Sequence, residues 1–308
     1  MLQTRFSYPS VNGTHDISAV RWESGEPPRA ILQIAHGMTE HIERYARFAA
    51  FLVEHGFVVC GNDHLAHGAS VKDKSEWGVL EVGTGRRYLV DDVHALRTIM
   101  ASRYEGVPYF ILGHSMGSFV VRNYIARYGE GLAGAIVMGT GHMSLPLVRA
   151  GGFLARMRAR ISGPDAQSPL VHKMSLGPYI KPFEPARTPY DWLTRDEAAV
   201  DAYAADPRCT FTFSSGGYSE LLGLLEGCVR REAFENTPQE LPILVISGLD
   251  DPVGDFGKAP RLVADLYRQT GHAHVELALY EGDRHEVLGE LDRDTVYADI
   301  LAWLEAHV

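Results

Sequence analysis

Short apolar runs bounded by turn residues alternate with stretches whose apolar positions recur every three or four residues. Ala30 to Ala35, Phe57 to Cys60, Tyr109 to Leu112, Ala135 to Met138, Pro242 to Ile246 and His274 to Tyr280 read as strands. Between them, Glu40 to His55 reads as a helix ended by Gly56. Leu89 to Arg103 reads as another, with Leu89, Val93, Leu96 and Met100 on one face. Further helices are predicted from Phe119 to Tyr128, from Lys258 to Thr270 with Gly271 as its stop, and from Asp294 to Ala306. Strands alternating with helices predict a mainly parallel sheet covered on both faces, an α/β doubly wound architecture.

One stretch breaks this rhythm. From Gly139 to Pro242 prolines are frequent and only short helical patterns appear, such as Arg195 to Ala205 and Tyr218 to Val229. A structureless loop of about a hundred residues does not suit a compact domain. The stretch is therefore expected to be a folded, mostly helical insertion over the ligand-binding edge of the sheet. The expected division is a core of residues 1–141 and 236–308 with a cap of residues 142–235.

Composition narrows the class of protein. The 308 residues are 45% hydrophobic and 22% charged, as in an ordinary soluble enzyme. The net charge of −10 excludes the basic footprint of a nucleic-acid binder. No apolar stretch reaches the roughly 18 residues of a membrane span. Met1 to Asn12 lacks the charged and apolar regions of a secretory leader. The cysteines, Cys60, Cys209 and Cys228, are odd in number and widely spaced, which points to a reducing cytoplasm rather than a disulfide framework.

The chemistry centres on Gly113-His114-Ser115-Met116-Gly117, between a strand and a helix. Strand, G-x-S-x-G, helix is the context of a nucleophile elbow, whose serine is exposed on a sharp, strained turn. The glycines leave room for the adjoining strand and helix. A serine hydroxyl needs a base, and the base needs an orienting carboxylate. In this architecture they follow the serine in the order carboxylate, histidine. The loop after Ile246 supplies Asp250, Asp251 and Asp255, and the loop after Tyr280 supplies His285. Both loops leave the carboxyl ends of strands, the edge that also carries Ser115.

Chain order selects His285 as base from fourteen histidines. His114 lies on the wrong side of the serine, and His272 and His274 lie at the opposite edge. Asp283 sits too near His285 in sequence to reach its far nitrogen. Residue spacing leaves Asp250, Asp251 and Asp255 open as the carboxylate. An oxyanion would be held by the N–H of Met116, at a helix start, and by the N–H of Met38 in the loop after the first strand. Asp63 and His67 are expected to brace these loops. No metal-ligand spacing such as H-E-x-x-H occurs.

Five segments together resemble the monoacylglycerol lipases and related lysophospholipase-like serine hydrolases. They are His36-Gly37-Met38-Thr39-Glu40-His41 with Arg44-Tyr45, Asp63-His64-x-x-His67-Gly68-x-Ser70, the Ser115 elbow, Gly248-x-x-Asp251-Pro252-Val253, and Tyr280-Glu281-Gly282-x-x-His285-Glu286. Ala66 departs from the glycine usual in the second segment. The matches span about residues 31 to 290 and leave the insertion weakly matched, although Arg187 to Asp196 is similar to bacterial members. The resemblance implies an α/β-hydrolase fold with Asp251 as the carboxylate. It also implies hydrolysis of the ester of a single-chain lipid, such as a monoacylglycerol or a lysophospholipid, with no cofactor.

Two other functions are weighed. An amide or peptide hydrolase of the same fold would need a polar anchor for the peptide amine, whereas the insertion is rich in Leu, Met, Phe and Arg. A non-catalytic binding protein is disfavoured because every position of the triad is filled. Finally, Leu145 to Ile161 carries Arg149, Arg156, Arg158 and Arg160 and no acidic residue. Either this segment lines the acyl site with its arginines in solvent, or it makes peripheral contact with a membrane. Gly151-Gly152 is expected to bend it or divide it into two short helices.

Overall fold

The computed structural model describes residues 1–308, the side chain of Leu170 excepted. The chain opens with β1 (Leu2–Pro9) and β2 (Asp16–Glu23), followed by β3 (Ala30–Ala35), α1 (Ala46–Glu54), β4 (Phe57–Asn62) and α2 (Gly85–Arg103). Next come β5 (Tyr109–His114), α3 (Met116–Tyr128) and β6 (Gly134–Met138). Five helices intervene: α4 (Leu145–Ser162), α5 (Pro169–Ser175), α6 (Glu197–Ala205), α7 (Ser215–Val229) and α8 (Arg231–Glu235). The chain then returns to the sheet with β7 (Ile243–Gly248), α9 (Lys258–Gln269), β8 (Val275–Tyr280) and α10 (Arg293–Ala306).

The strands form one sheet in the order β1-β2-β4-β3-β5-β6-β7-β8. From β4 to β8 all neighbours are parallel, and only the β1–β2 hairpin joins antiparallel, through β4. Strands β3, β4, β5, β6 and β7 are buried at every residue, which is why they read as unbroken apolar runs. Successive residues still serve opposite faces. Ile31, Ile111 and Val137 pack with Leu89 and Val93 of α2, Val121 of α3 and Val263 of α9. Leu32, Phe110 and Ile136 pack with Phe48 and Leu52 of α1 and Ile300 and Trp303 of α10.

The hairpin was not among the predicted elements. β1 is almost wholly exposed, and although Leu2, Phe6 and Tyr8 alternate with Gln3, Arg5 and Ser7, it has no unbroken apolar run like those of the central strands. Most other differences are boundaries. α1 starts at Ala46 because a 3-10 turn, Ile42–Tyr45, precedes it. α4, by contrast, is a genuine departure: it runs through Gly151 and Gly152 as one helix of 18 residues. Val148, Gly152, Ala155 and Ala159 form its buried stripe. A Cβ added at Gly151 would already touch Leu222 of α7 at 3.6 Å. Close packing on α7 therefore outweighs the propensity cost of about 1 kcal/mol per glycine.

The helices between β6 and β7 are tied to the sheet domain by buried polar contacts. Glu220 of α7, fully buried, accepts hydrogen bonds from the Gly83 N–H (2.6 Å) and the Arg86 N–H (3.0 Å) at the start of α2. A carboxylate there satisfies donors that the helix cannot and faces its positive dipole end. α6 is capped in the same way by Asp196, which accepts from Ala198 and Ala199 N–H.

Candidate active site

β5 and β6 end in register, His114 opposite Met138, and the next amide, Ser115 N–H, donates to the Met138 carbonyl at 3.0 Å. Ser115 then turns with φ 53° and ψ −117°, and α3 begins at Met116. A non-glycine residue held there costs on the order of 1–3 kcal/mol, which the surrounding contacts must offset. The flanking glycines permit the turn by close approach. A Cβ on Gly117 would lie 2.0 Å from the Ala35 carbonyl, and one on Gly113 would lie 2.2 Å from the Gly117 carbonyl.

Asp251 and His285 meet beside this turn. His285 Nδ1 is 3.0 Å from Asp251 Oδ1, with both side chains buried. Asp251 also accepts from the Val253 N–H at 2.9 Å and the Ser247 hydroxyl at 3.1 Å. Burial pushes the Asp251 carboxyl up. The charge and hydrogen bond of His285, with those other donors, outweigh burial and hold it below the usual carboxylate range. Asp250 is exposed, and Asp255 pairs with Lys258 at 3.1 Å, so neither reaches the imidazole. His272 is pinned between the Tyr267 and Thr237 carbonyls, while His274 is half-exposed beside Glu240. The ring of Trp192, from the β6–β7 helices, lies 5.2 Å from that of His285.

The loop after β3 comes back against the elbow. A Cβ on Gly37 would fall 3.2 Å from Ser115 Cβ. Neither the Met38 N–H nor the Met116 N–H is paired with a backbone carbonyl among the loop and cap hydrogen bonds of the described residues. Asp63 braces this region, accepting from the Ile42 N–H at 2.9 Å and the Ala69 N–H at 2.7 Å. His67 packs edge-on against His36 at 5.3 Å and also against Phe211 and Phe213. His64 makes the hydrogen bonds, donating its N–H to His36 Nε2 at 2.9 Å and facing the His36 carbonyl through Nε2 at 3.1 Å. Burial pushes His64 down to about 3 and His67 to about 4, so both are neutral at physiological pH.

A buried network that the sequence does not single out lies behind the His285–Asp251 pair. Glu40 accepts from the Gly37 N–H, the Tyr45 hydroxyl (3.0 Å), the Arg44 guanidinium (2.7 Å) and His114 Nδ1 (3.1 Å). His114 in turn reaches the His285 carbonyl through Nε2 at 3.3 Å, and their rings lie 4.7 Å apart. Burial pushes His114 down, but the hydrogen bond and charge of Glu40 raise it overall. Arg44 closes the network with two bonds of 2.7 Å to Glu286. A cavity of about 430 Å³ lined by Glu40, Arg44, His114, Tyr203 and Glu286 opens behind it, without Ser115 in its lining. Its signal in the sequence is the placing of Glu40 and Arg44 just after Gly37-Met38 and of Glu286 just after His285.

The family model described as serine aminopeptidase, S33, matches residues 26–292. The chain belongs to this family. A monoacylglycerol lipase of Mycolicibacterium smegmatis is 28% identical, over 99% of this chain and 98% of that one. The monoglyceride lipase of Homo sapiens is 26% identical, over 92% of this chain and 84% of that one. Among solved structures, a highly thermostable carboxyl esterase from Bacillus coagulans in complex with glycerol matches with a TM-score of 0.92 and 32% identity. That match covers 100% of this chain and 99% of the esterase. The protein is thus a serine hydrolase of the α/β-hydrolase fold.

Proposed function

We propose that the protein hydrolyses the acyl ester of a single-chain lipid, such as a monoacylglycerol or a lysophospholipid, through an acyl-Ser115 intermediate. The buried His285–Asp251 pair beside the strained Ser115 turn carries this reading. In it, His285 Nε2 takes the Ser115 proton as Oγ attacks the ester carbonyl, and Asp251 keeps the imidazole in the tautomer that can accept it. The Met38 and Met116 N–H groups hold the oxyanion, each contributing on the order of 2.7–4 kcal/mol to the transition state. The alcohol leaves with the proton from His285. Water, deprotonated by His285, then releases the fatty acid.

The lipid substrate is supported by the lipase relatives and by the β6–β7 helices, which we assign as a cap spanning residues 142–235 on a core of residues 1–141 and 236–308. On α4 the outward side chains are Leu147, Phe153, Leu154 and Ile161, more than half-exposed and interleaved with Arg156, Arg158 and Arg160. None of these three arginines has a carboxylate partner among the described residues. This is the composition of an interfacial helix, and we assign α4 to peripheral contact with anionic lipid. No helix is long and apolar enough to cross a membrane. The free, buried cysteines suit a reducing cytoplasm.

The family description raises a peptidase reading. Three carboxylates near His285 are not free for a peptide amine: Asp251 is held by His285, and Glu40 and Glu286 by Arg44. Turnover of an acyl glycerol ester and of an aminoacyl amide of matched size separates the two. The ester should be cleaved at least a hundredfold faster. Faster cleavage of the amide would overturn the assignment.

A further inference from the structure

Arg122 of α3 is wholly buried, between the nucleophile turn and the helices that join β6 to β7. Among the described residues its hydrogen bonds all end on neutral oxygens. They reach the Thr140 hydroxyl at 3.3 Å, the Gly141 carbonyl at 3.2 Å and the Cys228 carbonyl at 2.7 Å. Cys228 lies in the last turn of α7, whose negative dipole end suits a cation, and the guanidinium also lies over the Phe234 ring at 5.5 Å. Even so, taking a cation out of water without a carboxylate beside it costs stability. One of the three hydrogen bonds leads to the nucleophile.

Thr140 and Ser118 are also wholly buried, and their hydroxyl oxygens lie 2.9 Å apart. The Ser118 hydroxyl is 2.5 Å from the Ser115 carbonyl, a group that can only accept. Ser118 has one hydroxyl proton and gives it to that carbonyl, so Thr140 donates to Ser118 and accepts from Arg122. The donors therefore run in one direction, from Arg122 through Thr140 and Ser118 to the Ser115 carbonyl. The same carbonyl accepts from the Ser118 N–H at 2.9 Å and the Phe119 N–H at 3.4 Å. It shares one planar peptide unit with the Met116 N–H. Hydrogen bonds received by the oxygen fix that plane and draw electron density from the nitrogen, which makes its N–H a stronger donor.

We propose that Arg122 is a positioning residue for the oxyanion hole: through Thr140 and Ser118 it orients and polarises the Ser115–Met116 peptide. The proposal rests on the acyl-Ser115 reading, in which the Met116 N–H meets the oxyanion. Each hydroxyl keeps its own proton, so the relay carries polarisation and not a proton. Its effect falls on the transition state, because only there does the Met116 N–H face a full negative charge; binding of the neutral ester changes little. Losing a whole oxyanion donor costs about 10²–10³ in kcat, so weakening one should cost less. The Cys228 bond ties the same guanidinium to the end of α7, which gives that helix and the nucleophile turn a common anchor.

The test is steady-state kinetics of the full chain on a short p-nitrophenyl ester, with inhibition by a trifluoromethyl ketone, whose adduct with Ser115 puts an oxyanion in the hole. Ser118→Ala should lower kcat about tenfold with KM within about twofold, and weaken the ketone by the factor lost from kcat. Thr140→Val and Arg122→Met should each give a severalfold loss of the same kind. In the Ser118→Ala background neither should cost anything more, because the relay is already cut. If Arg122→Met does not fold, Thr140→Val, which separates Arg122 from Ser118, reads the same link. Thr237→Val removes another buried hydroxyl, bonded to the Ala233 carbonyl at 2.9 Å, and should leave kcat unchanged. Losses that add in the double variants, or that fall on KM instead of kcat, would overturn the proposal. Failure of a fluorophosphonate to label Ser115 in the unsubstituted protein would instead overturn the acyl-Ser115 reading on which it stands.

Discussion

Glu40 gathers four donors around a carboxylate that is almost wholly buried, so its charge is met from every side. One of those donors belongs to the oxyanion loop and another, through His114, touches the backbone of His285. Two parts of the site from distant stretches of chain are thereby held to the same group. Asp251 illustrates a different constraint. Spacing left three aspartates open, because one residue of turn geometry separates Asp250 from Asp251. Only Asp251 meets His285, and the donors of His285, Val253 and Ser247 keep it ionised despite its burial. Asp251→Asn keeps the shape of that position but favours the wrong imidazole tautomer. It should lower kcat for a soluble ester by up to ~10⁴-fold, with KM little changed. Equal or greater damage from Asp250→Asn or Asp255→Asn, with Asp251→Asn mild, would move the carboxylate elsewhere.

At the scale of elements, what could be read depended on burial. The central strands are apolar throughout because helices cover both faces, and they stand out in the sequence. β1 sits at the sheet edge, is mostly polar and carries no such mark, although β2 beside it is largely buried. The Ser115 elbow and the Gly37-Met38 loop could be placed because they follow the buried strands β5 and β3, whereas His285 follows the only partly buried β8 and was placed by chain order. Trp192 and the Glu40–His114 network were not legible, since they depend on which loops meet in space. In α4, local propensity pointed to a break at Gly151-Gly152, and packing against α7 overrode it. The exposed side of that helix has a testable consequence. Changing Arg156, Arg158 and Arg160 together to Gln should weaken binding to anionic vesicles and slow hydrolysis of vesicle-borne monoacylglycerol severalfold. Hydrolysis of a short soluble ester should be unaffected. An equal response of both substrates, or of neither, would show that α4 is only a cover for the site.

Across the whole molecule, the N-terminal hairpin is fastened to the sheet domain through α2. Asp92 accepts from the Ser10 hydroxyl at 2.9 Å and the Val11 N–H at 2.8 Å, and Tyr8 donates to its backbone carbonyl at 2.8 Å. Burial pushes the Asp92 carboxyl up to about 6 despite those donors. In the unfolded chain the same group titrates near ~3.9. Between these values the native state binds more protons, so its contribution to stability falls as pH rises from about 4 to about 6 and then levels. Asparagine can accept from the Val11 N–H through its amide oxygen and donate its amide N–H to the Ser10 hydroxyl oxygen, without ionising. Urea unfolding from pH 4 to pH 7 should therefore show Asp92→Asn gaining on the unsubstituted protein by up to about 3 kcal/mol as pH rises. Parallel stability curves would mean that the carboxyl is ionised at little cost.

Acylation of Ser115 is read most directly from the acyl-enzyme itself. The protein would be mixed with a p-nitrophenyl ester of a medium-chain fatty acid, quenched in acid within the first turnovers, and analysed by intact mass and peptide mapping. One acyl group per chain is expected, carried on the peptide containing Ser115 and absent from Ser115→Ala, which should remain folded and almost inactive. An acyl group on another residue would contradict it, as would a Ser115→Ala protein that keeps more than a few per cent of the turnover.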